Sequence, residues 1–547
     1  MNRYIIFIFF VISLFSAVGC KDQLDVGNPN SPTVAGNVTD ETGLISYAQG
    51  AVYVNGFMNN SGYFYLPYGY IELMGDVIGA QASNYLISTM AIPDYATLDD
   101  GTTLTNSSPS ITQLRSNNSR AQTGSGYNPL YYQWTQMYSM NMALNDVLSI
   151  IDDIVTDEDK ANTFKAWCYF WKGYAYASIG SMYYSGLIID ETNGTSSEYV
   201  TQDVVIERSN YYYNLATSTL ESISTSSTYE DILGELIPTA SQTGNGGVLT
   251  IDMFKRNINT MLARNILLNK LAPYVNNDPS ASITTATISA MTTSDWNSVL
   301  TYATNGIQEG DYVFTGRSTS TNSLFSATGG NPAALTTGTN TSTWFKLTER
   351  FVQNYKSTDQ RLANNLEAVD TYLDEMTYGT RWNIIDGGNG LSGVSVLSNR
   401  TVGEYELYIA GSYEENALML AEANLRLGNI DVGLAYIDAV RTYQGAGVTA
   451  VSGTGLTLAE AMQELVTERR VALVFRGISF YDSRRWGWTY DISNGGGSYG
   501  NVVLSSAGDV NTDVTINYNF LDYWDVPADE SVLNPSTSSV ATTNPNF

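Results

Sequence analysis

Residues 413–443 read YEENALMLAEANLRLGNIDVGLAYIDAVRTY, and this stretch decides the fold class. Apolar residues recur every three or four positions on both sides of Gly428-Asn429. That period is typical of helices that bury one face, and a Gly-Asn pair readily adopts the left-handed backbone conformation of a tight turn. The stretch therefore predicts two helices that fold back on each other.

Small residues lie where these two helices would cross, and they make the hairpin similar to a tetratricopeptide unit. Ala421 and Ala423 precede the turn, and Gly433 follows it. The same helical period recurs within residues 131–148, 164–175, 254–268 and 296–307. Because no full 34-residue consensus repeats along the chain, we expect degenerate tetratricopeptide-like helix pairs and a mainly α fold. An irregular helical bundle is the alternative.

Polar stretches rich in Ser, Thr, Asn and Gly separate the helical segments. They lie at residues 99–128, 315–343, 386–403 and 489–517. This composition predicts loops or short hairpins. Because they look like insertions into a helical array, we expect one α-helical domain over residues 44–547, after a lead-in at 20–43.

The first nineteen residues have the layout of a secretory signal peptide. A positively charged residue precedes an apolar run at residues 4–15, and small residues follow. This run is shorter than the roughly 20 residues that a membrane-spanning helix needs. Residues 14–20, LFSAVGC, resemble a bacterial lipobox, which predicts removal of residues 1–19 and lipidation of Cys20. An ordinary signal peptide cut near Ala17 or Gly19 is the alternative.

The composition excludes several kinds of chemistry. The chain has no histidine, which removes Ser-His-Asp and Cys-His catalysis, histidine-ligated zinc and histidine proton shuttles. The net charge of −28 disfavours nucleic acid as a partner. A mechanism based on two carboxylates remains open, but 54 acidic residues identify no particular pair. No cofactor and no metal site is expected.

If Cys20 carries lipid, Cys168 is the only other cysteine and cannot form an intramolecular disulfide. Cys168 shares a predicted helix face with Phe164 and Trp171. Because no histidine can activate it, we interpret Cys168 as a buried structural thiol.

A second informative stretch is residues 467–487, TERRVALVFRGISFYDSRRWG. Its five arginines lie among acidic and aromatic side chains, which predicts a partly buried network of ion pairs and stacking contacts. A capping box at Thr457 and Glu460 predicts the start of the preceding helix, which we expect to run to about Phe475, before Gly477. We expect structural roles for Glu468, Arg469, Arg470, Asp482, Arg484, Arg485 and Trp486.

This arginine-rich stretch resembles the C-terminal signature of the SusD/RagB family. Other matches follow in family order: the lipobox with Leu24-Asp25, residues 351–361 (FVQNYKSTDQR), residues 523–535 (YWDVPADESVLNP) and the closing residues 544–547 (NPNF). The resemblance therefore spans the chain from Cys20 to Phe547.

The resemblance implies a nutrient-binding lipoprotein anchored by lipid in the outer membrane of a Bacteroidetes bacterium, on its extracellular side. The acidic residues after Cys20 are similar to a surface-export signal of that phylum. Family members capture glycans, or oligopeptides in some cases, for a partner SusC-like TonB-dependent barrel transporter. In the family, helices contact the transporter and loops on the opposite side hold ligand, without bond chemistry.

Aromatic side chains in the polar insertions are the expected ligand contacts, because a sugar ring stacks on a flat aromatic face. The resemblance favours two regions of the chain. From them we select Tyr95, Trp344, Trp382, Tyr85 and Phe325. The tryptophans at 134, 167, 171 and 296 lie on helical stripes and are expected in the core instead.

The sequence thus predicts a non-catalytic oligosaccharide-capture protein. Three alternatives stay open: capture of oligopeptides, a lipid-anchored glycosidase that uses two acidic residues, and a surface adhesion protein.

Overall fold

The computed structural model describes residues 38–57, 66–80, 90, 92–121, 128–316, 345–372, 378–399 and 407–547. Helices dominate these residues, and the longest described strand has eight residues. The predicted mainly α class is therefore confirmed.

The helices are named in chain order. They are α1 (Glu41–Gly50), α2 (Pro67–Met74), α3 (Ser110–Asn117), α4 (Tyr131–Ile154), α5 (Glu158–Met182), α6 (Gln202–Glu221), α7 (Ser226–Leu236), α8 (Ile251–Leu268), α9 (Thr293–Thr304), α10 (Glu349–Val352), α11 (Gln360–Asn365), α12 (Tyr413–Arg426), α13 (Ile430–Tyr443), α14 (Leu458–Ala472), α15 (Ser479–Arg485) and α16 (Ala528–Leu533). A π-helical turn follows α1 at Ala51–Gly56, and 3₁₀ turns lie at Thr239–Ser241, Val275–Asn277 and Ile492–Asn494.

The strands are short and form small antiparallel sheets. They are β1 (Ile78–Ala80), β2 (Tyr95–Thr97), β3 (Thr103–Thr105), β4 (Ser185–Gly186), β5 (Val200–Thr201), β6 (Thr315–Gly316), β7 (Phe345–Leu347), β8 (Leu366–Tyr372), β9 (Thr380–Ile384), β10 (Leu407–Tyr408), β11 (Ser498–Leu504) and β12 (Val510–Asn517). The largest described sheet has four strands in the order β11-β12-β2-β3. The other pairs are β1 with β7, β4 with β5, β6 with β10, and β8 with β9.

Helix hairpins build the body, as residues 413–443 predict. Helices α12 and α13 pack on each other, and Gly428 turns the chain between them with φ of 88°. A Cβ atom at Gly433 would lie 2.7 Å from the Leu425 side chain and 2.8 Å from the Ala421 carbonyl oxygen. Only glycine therefore permits this close crossing. Helices α4 with α5 and α8 with α9 form further pairs, and α6 packs along α5.

The structure corrects two local predictions. Residues 99–128 were expected to lack helices, but α3 forms within them. The helix that begins at the Thr457 capping box ends at Ala472, three residues before Phe475. It ends early because Phe475 and Gly477 both have left-handed φ values, 57° and 68°. Residues 489–517 contain the predicted hairpin, β11 and β12.

The acidic and arginine side chains of residues 467–487 are buried more deeply than predicted. Asp482 accepts hydrogen bonds from Arg469 at 2.9 Å and from Arg485 at 2.7 Å. Glu468 accepts from Arg361 at 2.6 Å and from Arg441 at 2.8 Å. Burial alone would raise the pKa of Glu468, but the two guanidinium groups lower it.

Arg484 satisfies carbonyl oxygens rather than carboxylates. It donates to Ser181, Leu268 and Asp522 at 2.8 Å each. Trp486 is fully buried beside this group. The arginine-rich stretch therefore connects helices from both halves of the chain, which is a structural role.

The predicted core residues are buried. The tryptophans at 134, 167, 171 and 296 are at most 6% exposed. Cys168 is fully buried, and burial raises the pKa of its thiol, so it is the predicted structural thiol. Among the described helices, none is long and apolar enough to cross a membrane. Cys20 lies outside the described residues, and the domain boundaries stay predictions.

Candidate functional site

A cavity of about 430 Å³ opens between β11, the 3₁₀ turn Val275–Asn277, α10 and α14. We call it the hairpin cavity. Its volume suits a small or chain-like polar ligand. Each wall comes from a different part of the sequence, so only the folded chain assembles it.

Three aromatic side chains line the hairpin cavity: Tyr274, Trp488 and Tyr499. Tyr274 is buried and donates to Gln463 Oε1 at 2.6 Å, which fixes its ring. Tyr499 is 36% exposed, with its hydroxyl 3.2 Å from the Gly496 carbonyl oxygen. The hydroxyl of Tyr499 is therefore hydrogen-bonded to the protein, while its ring remains accessible to a ligand.

Amide side chains supply most of the other polar groups. They belong to Asn276, Asn277, Gln353, Asn354, Gln463 and Asn501. Amides carry both donors and an acceptor without net charge, which suits hydroxyl and ring oxygens of a neutral polar ligand. Asn276 and Asn277 are exposed at the rim, whereas Asn501 and Asn354 donate to backbone carbonyls.

Backbone strain concentrates at the hairpin cavity. Seven described non-glycine residues have left-handed φ values, and three of them line this cavity: Asp76 (56°), Asn276 (55°) and Asn277 (58°). Such conformations cost energy and persist where the surroundings fix them, often at ligand sites. Because Asn276 and Asn277 are adjacent and exposed, this left-handed turn presents two amide side chains at the rim.

Paired charges form the floor of the hairpin cavity. Arg350 Nη2 lies 2.7 Å from Asp76 Oδ1, and Arg470 donates to the carbonyl oxygens of Gly75 and Asp76 at 3.0 Å. Burial lowers the pKa of Arg470, with Arg350 contributing to the same effect. Both guanidinium groups of the floor therefore already donate to acceptors of the protein itself.

Tyr95, a predicted ligand residue, lies at the sheet beside the hairpin cavity. It belongs to β2, which pairs with β12, and β12 pairs with β11. Burial raises the pKa of Tyr95, and nearby Asp491 and Tyr499 raise it further. The Tyr95 hydroxyl is therefore close to the most exposed aromatic side chain of the cavity.

Trp382 lies on β9 and is partly buried against the core. Its indole N–H is buried and has no hydrogen-bond partner in the described part of the chain. Strand β9 contacts β7, and Arg381 next to Trp382 pairs with Glu349 of α10. Trp382 is therefore near the α10 wall of the cavity and does not line it.

Tyr85, Trp344 and Phe325 lie outside the described residues. In the described structure, β1 and β7 pair Ala80 with Phe345 at one end. Asp76 and Arg350 of the cavity floor flank the other end of the same strand pair.

Sequence reasoning missed Tyr274, Asn276, Asn277 and Tyr499 as residues of this cavity. Two signals point to them in hindsight. Residues 276–279, NNDP, are a turn pattern that tolerates left-handed φ, and Tyr499 stands in the glycine-rich run GGGSYG at 495–500. Neither signal shows that the two segments meet.

No group of three or more acidic or cysteine side chains within the described ranges is placed to hold a metal ion. The cavity therefore offers polar and aromatic contacts rather than a described metal centre.

Comparison with known sequence families gives a match over the C-terminal part of the chain. Residues 413–545 match the sequence model of the SusD family. No curated protein sequence matches the chain.

Solved structures with similar folds cover nearly the whole chain. A SusD-like protein from Bacteroides fragilis superposes with a TM-score of 0.53 at 13% identity, over 94% of this chain and 100% of that one. Surface glycan-binding protein A from Bacteroides uniformis gives 0.52 at 16% identity, over 91% and 99%. A SusD superfamily protein from Bacteroides thetaiotaomicron gives 0.52 at 13% identity, over 92% and 99%. The C-terminal part of the chain therefore matches the SusD family model, and the fold of the chain is similar to the folds of SusD-like proteins.

Proposed function

We propose that the protein is a non-catalytic, cell-surface lipoprotein that captures oligosaccharides in the hairpin cavity. It would deliver them to a partner SusC-like TonB-dependent transporter. The observation that carries the proposal is that the exposed Asn276-Asn277 pair and the exposed ring of Tyr499 line one cavity.

The chemistry of the hairpin cavity suits a neutral sugar chain. An aromatic face stacks on the apolar face of a sugar ring, and amide groups meet its hydroxyls. The only acidic side chain of the lining outside the paired floor is Asp513, at the exposed rim. The name of the structurally similar glycan-binding protein from Bacteroides uniformis agrees with this class of ligand.

Lipidation of Cys20 would attach the protein to the outer membrane, with the folded chain on the extracellular side. Tyr85, Phe325 and Trp344 remain proposed ligand contacts and lie outside the described residues. Tyr95 and Trp382 would contribute from the sheet and from β9.

The test is calorimetric titration of the purified protein with neutral oligosaccharides of four to eight residues, and separately with a tryptic peptide digest. We expect saturable binding of at least one oligosaccharide and at least a tenfold loss of affinity in Tyr499→Ala. The matched control is Tyr211→Ala, because Tyr211 is 50% exposed on α6 and lies outside the hairpin cavity.

Each alternative has its own outcome. Binding of peptides without binding of sugars would assign the protein to the oligopeptide-capturing members. Release of reducing ends from the same oligosaccharides would identify a glycosidase. Recovery of no barrel transporter when the protein is purified from native outer membranes would overturn the transporter partnership.

A further inference from the structure

Lys172 of α5 is a buried amine that the proposed function does not use. Its side chain has no exposure to solvent. Lys172 Nζ donates to the side-chain oxygen of Asn141 at 2.7 Å and also to that of Asn145. Both asparagines are buried in α4, one helical turn apart. The amine of Lys172 therefore contacts two primary amides inside the α4–α5 hairpin.

The charges around Lys172 do not balance. Asp190 Oδ1 lies 3.6 Å from Lys172 Nζ, and Oδ2 of the same carboxylate accepts a hydrogen bond from Arg208. One carboxylate thus faces two cations, and burying an unbalanced charge costs free energy. Burial lowers the pKa of Lys172 from 10.5 to about 8, although Asp190 opposes this effect. Near neutral pH, a fraction of the molecules therefore carries a neutral, nucleophilic amine at Lys172.

The amide carbon of Asn141 lies within reach of this amine. A C=O bond of about 1.23 Å and the 2.7 Å contact place Asn141 Cγ roughly 3–4 Å from Lys172 Nζ. Atoms about 3–3.5 Å apart are close enough to react when they are correctly oriented. The amide is also held in place, because Asn141 Nδ2 donates to the Ile189 carbonyl oxygen at 2.7 Å. The fold therefore keeps the amine and the amide next to each other.

Two tyrosines hold Asp190 beside the amine. Asp190 Oδ1 accepts from the hydroxyl of Tyr176 at 2.9 Å and from that of Tyr212 at 2.8 Å. The ring centroids of Tyr176 and Tyr212 lie 5.6 Å and 4.7 Å from Lys172 Nζ. Such a site keeps water away from the amide. It brings together an amine, an amide and a carboxylate that can carry a proton.

We propose that Lys172 and Asn141 form an intramolecular isopeptide bond that joins α5 covalently to α4. Lys172 Nζ forms a bond to Asn141 Cγ, and the bond between Cγ and Nδ2 breaks. Asp190 accepts the proton that the attacking nitrogen loses and returns it to Nδ2, which leaves as ammonia. The reaction consumes no other reactant. It also removes one cation, so that Asp190 and Arg208 remain as a balanced pair.

The bond closes a covalent loop over residues 141–172. A cross-link of this kind stabilises a protein mainly by restricting the unfolded chain, as a disulfide does. Cys168, on the same helix as Lys172, is a free thiol. The isopeptide bond therefore gives the hairpin a covalent link without a disulfide.

The test is peptide mapping of the full-length protein, which is denatured and then digested with trypsin. Without the bond, trypsin releases residues 121–160 and residues 166–172 as separate peptides. The bond blocks cleavage after Lys172, so we expect one branched species of residues 121–160 and 166–208. Its mass is about 17 Da below the sum of the two peptides, because ammonia is lost. Fragmentation spectra should place the branch at Lys172 and Asn141.

Two variants test the chemistry, and circular dichroism verifies that each one folds. Asn141→Ala removes the reacting amide and should abolish the branched species. Asp190→Asn removes the proton carrier and should reduce the branched fraction at least tenfold. The matched control is Asn265→Ala, because Asn265 is also buried in a helix but donates to Ser209 and Asn210. This control should retain the branched species.

The natural protein alone can refute the proposal, even if a variant fails to fold. Release of residues 166–172 as a free peptide, with no branched species, would overturn the isopeptide bond. A branch at Asn145 would overturn the assignment to Asn141. An unchanged branched fraction in Asp190→Asn would overturn the proton transfer through Asp190.

Discussion

Arg485 and Glu422 form a two-point ion pair with no exposure to solvent: the Nη1–Oε1 and Nη2–Oε2 distances are both 2.7 Å. The pair joins α15 to α12, and Arg485 also donates to Asp482 at 2.7 Å. Removing one partner of a buried pair leaves an uncompensated charge. We expect Glu422→Gln to lower the free energy of unfolding by about 3–5 kcal/mol, measured by urea denaturation.

The control for Glu422→Gln is the exposed pair Lys165–Asp152, which has a similar distance of 2.7 Å. The Asp152 side chain is 73% exposed, so Asp152→Asn should cost less than about 1 kcal/mol. Equal losses of unfolding free energy for the two substitutions would contradict a structural role of the buried Arg485–Glu422 pair.

The raised pKa of Glu72 predicts that the free energy of unfolding depends on pH. Burial raises its pKa from 4.5 to about 7, although the Gly477 N–H donates to it at 3.0 Å. Its stabilising effect is complete below pH 4.5 and is lost as the pH rises through 7, because only the unfolded chain releases the proton in that interval. The loss is about 3 kcal/mol. Glu72→Gln should flatten the curve of unfolding free energy over this interval, and a curve parallel to that of the natural protein would exclude the shifted pKa.

Tyr95 offers a test of ring stacking beside the hairpin cavity. If its ring contacts ligand, Tyr95→Phe should retain oligosaccharide affinity within about threefold, while Tyr95→Ala should lose about 1–2 kcal/mol. Calorimetric titration measures both. Equal affinities of the two variants would remove Tyr95 from the proposed site.

A substitution of Asn277 can distinguish a contribution of its backbone conformation to stability from a contribution of its side chain to ligand binding. Glycine adopts its φ of 58° without steric cost, so Asn277→Gly should not lower the unfolding midpoint. The variant loses the rim amide, and we expect oligosaccharide affinity to fall by about 1 kcal/mol. A stability loss with unchanged affinity would show that the amide serves the fold instead.

A substitution of Cys20 tests the proposed lipid anchor. Cys20→Ala should move the protein from the membrane fraction to the soluble fraction, because the substitution removes the site of acylation. Mass spectrometry of the natural protein should detect the added acyl chains on residue 20. An unmodified N-terminus that begins after Gly19 would support the ordinary signal peptide.

Local patterns allowed the helix hairpin and the capping box to be predicted. The spacing of apolar residues and the turn at Gly428 both depend on residues a few positions apart, so α12 and α13 could be predicted from the sequence alone. The hairpin cavity could not be predicted, because its lining brings together Asn276, Arg350 and Tyr499, which are far apart in the chain. Tyr95 was selected as a ligand contact and stays a prediction, whereas its neighbour Tyr499 was not found from the sequence.

The four-stranded sheet has a consequence for how the protein folds. Tyr95 of β2 pairs with Asn517 of β12, across more than four hundred residues. Contacts this distant in sequence form late and slowly, whereas helix hairpins close early. A chain synthesised up to residue 490 can therefore build most of its helices and still lack a wall of the hairpin cavity. Ligand recognition would be the last property acquired during folding, and no truncated fragment should show it.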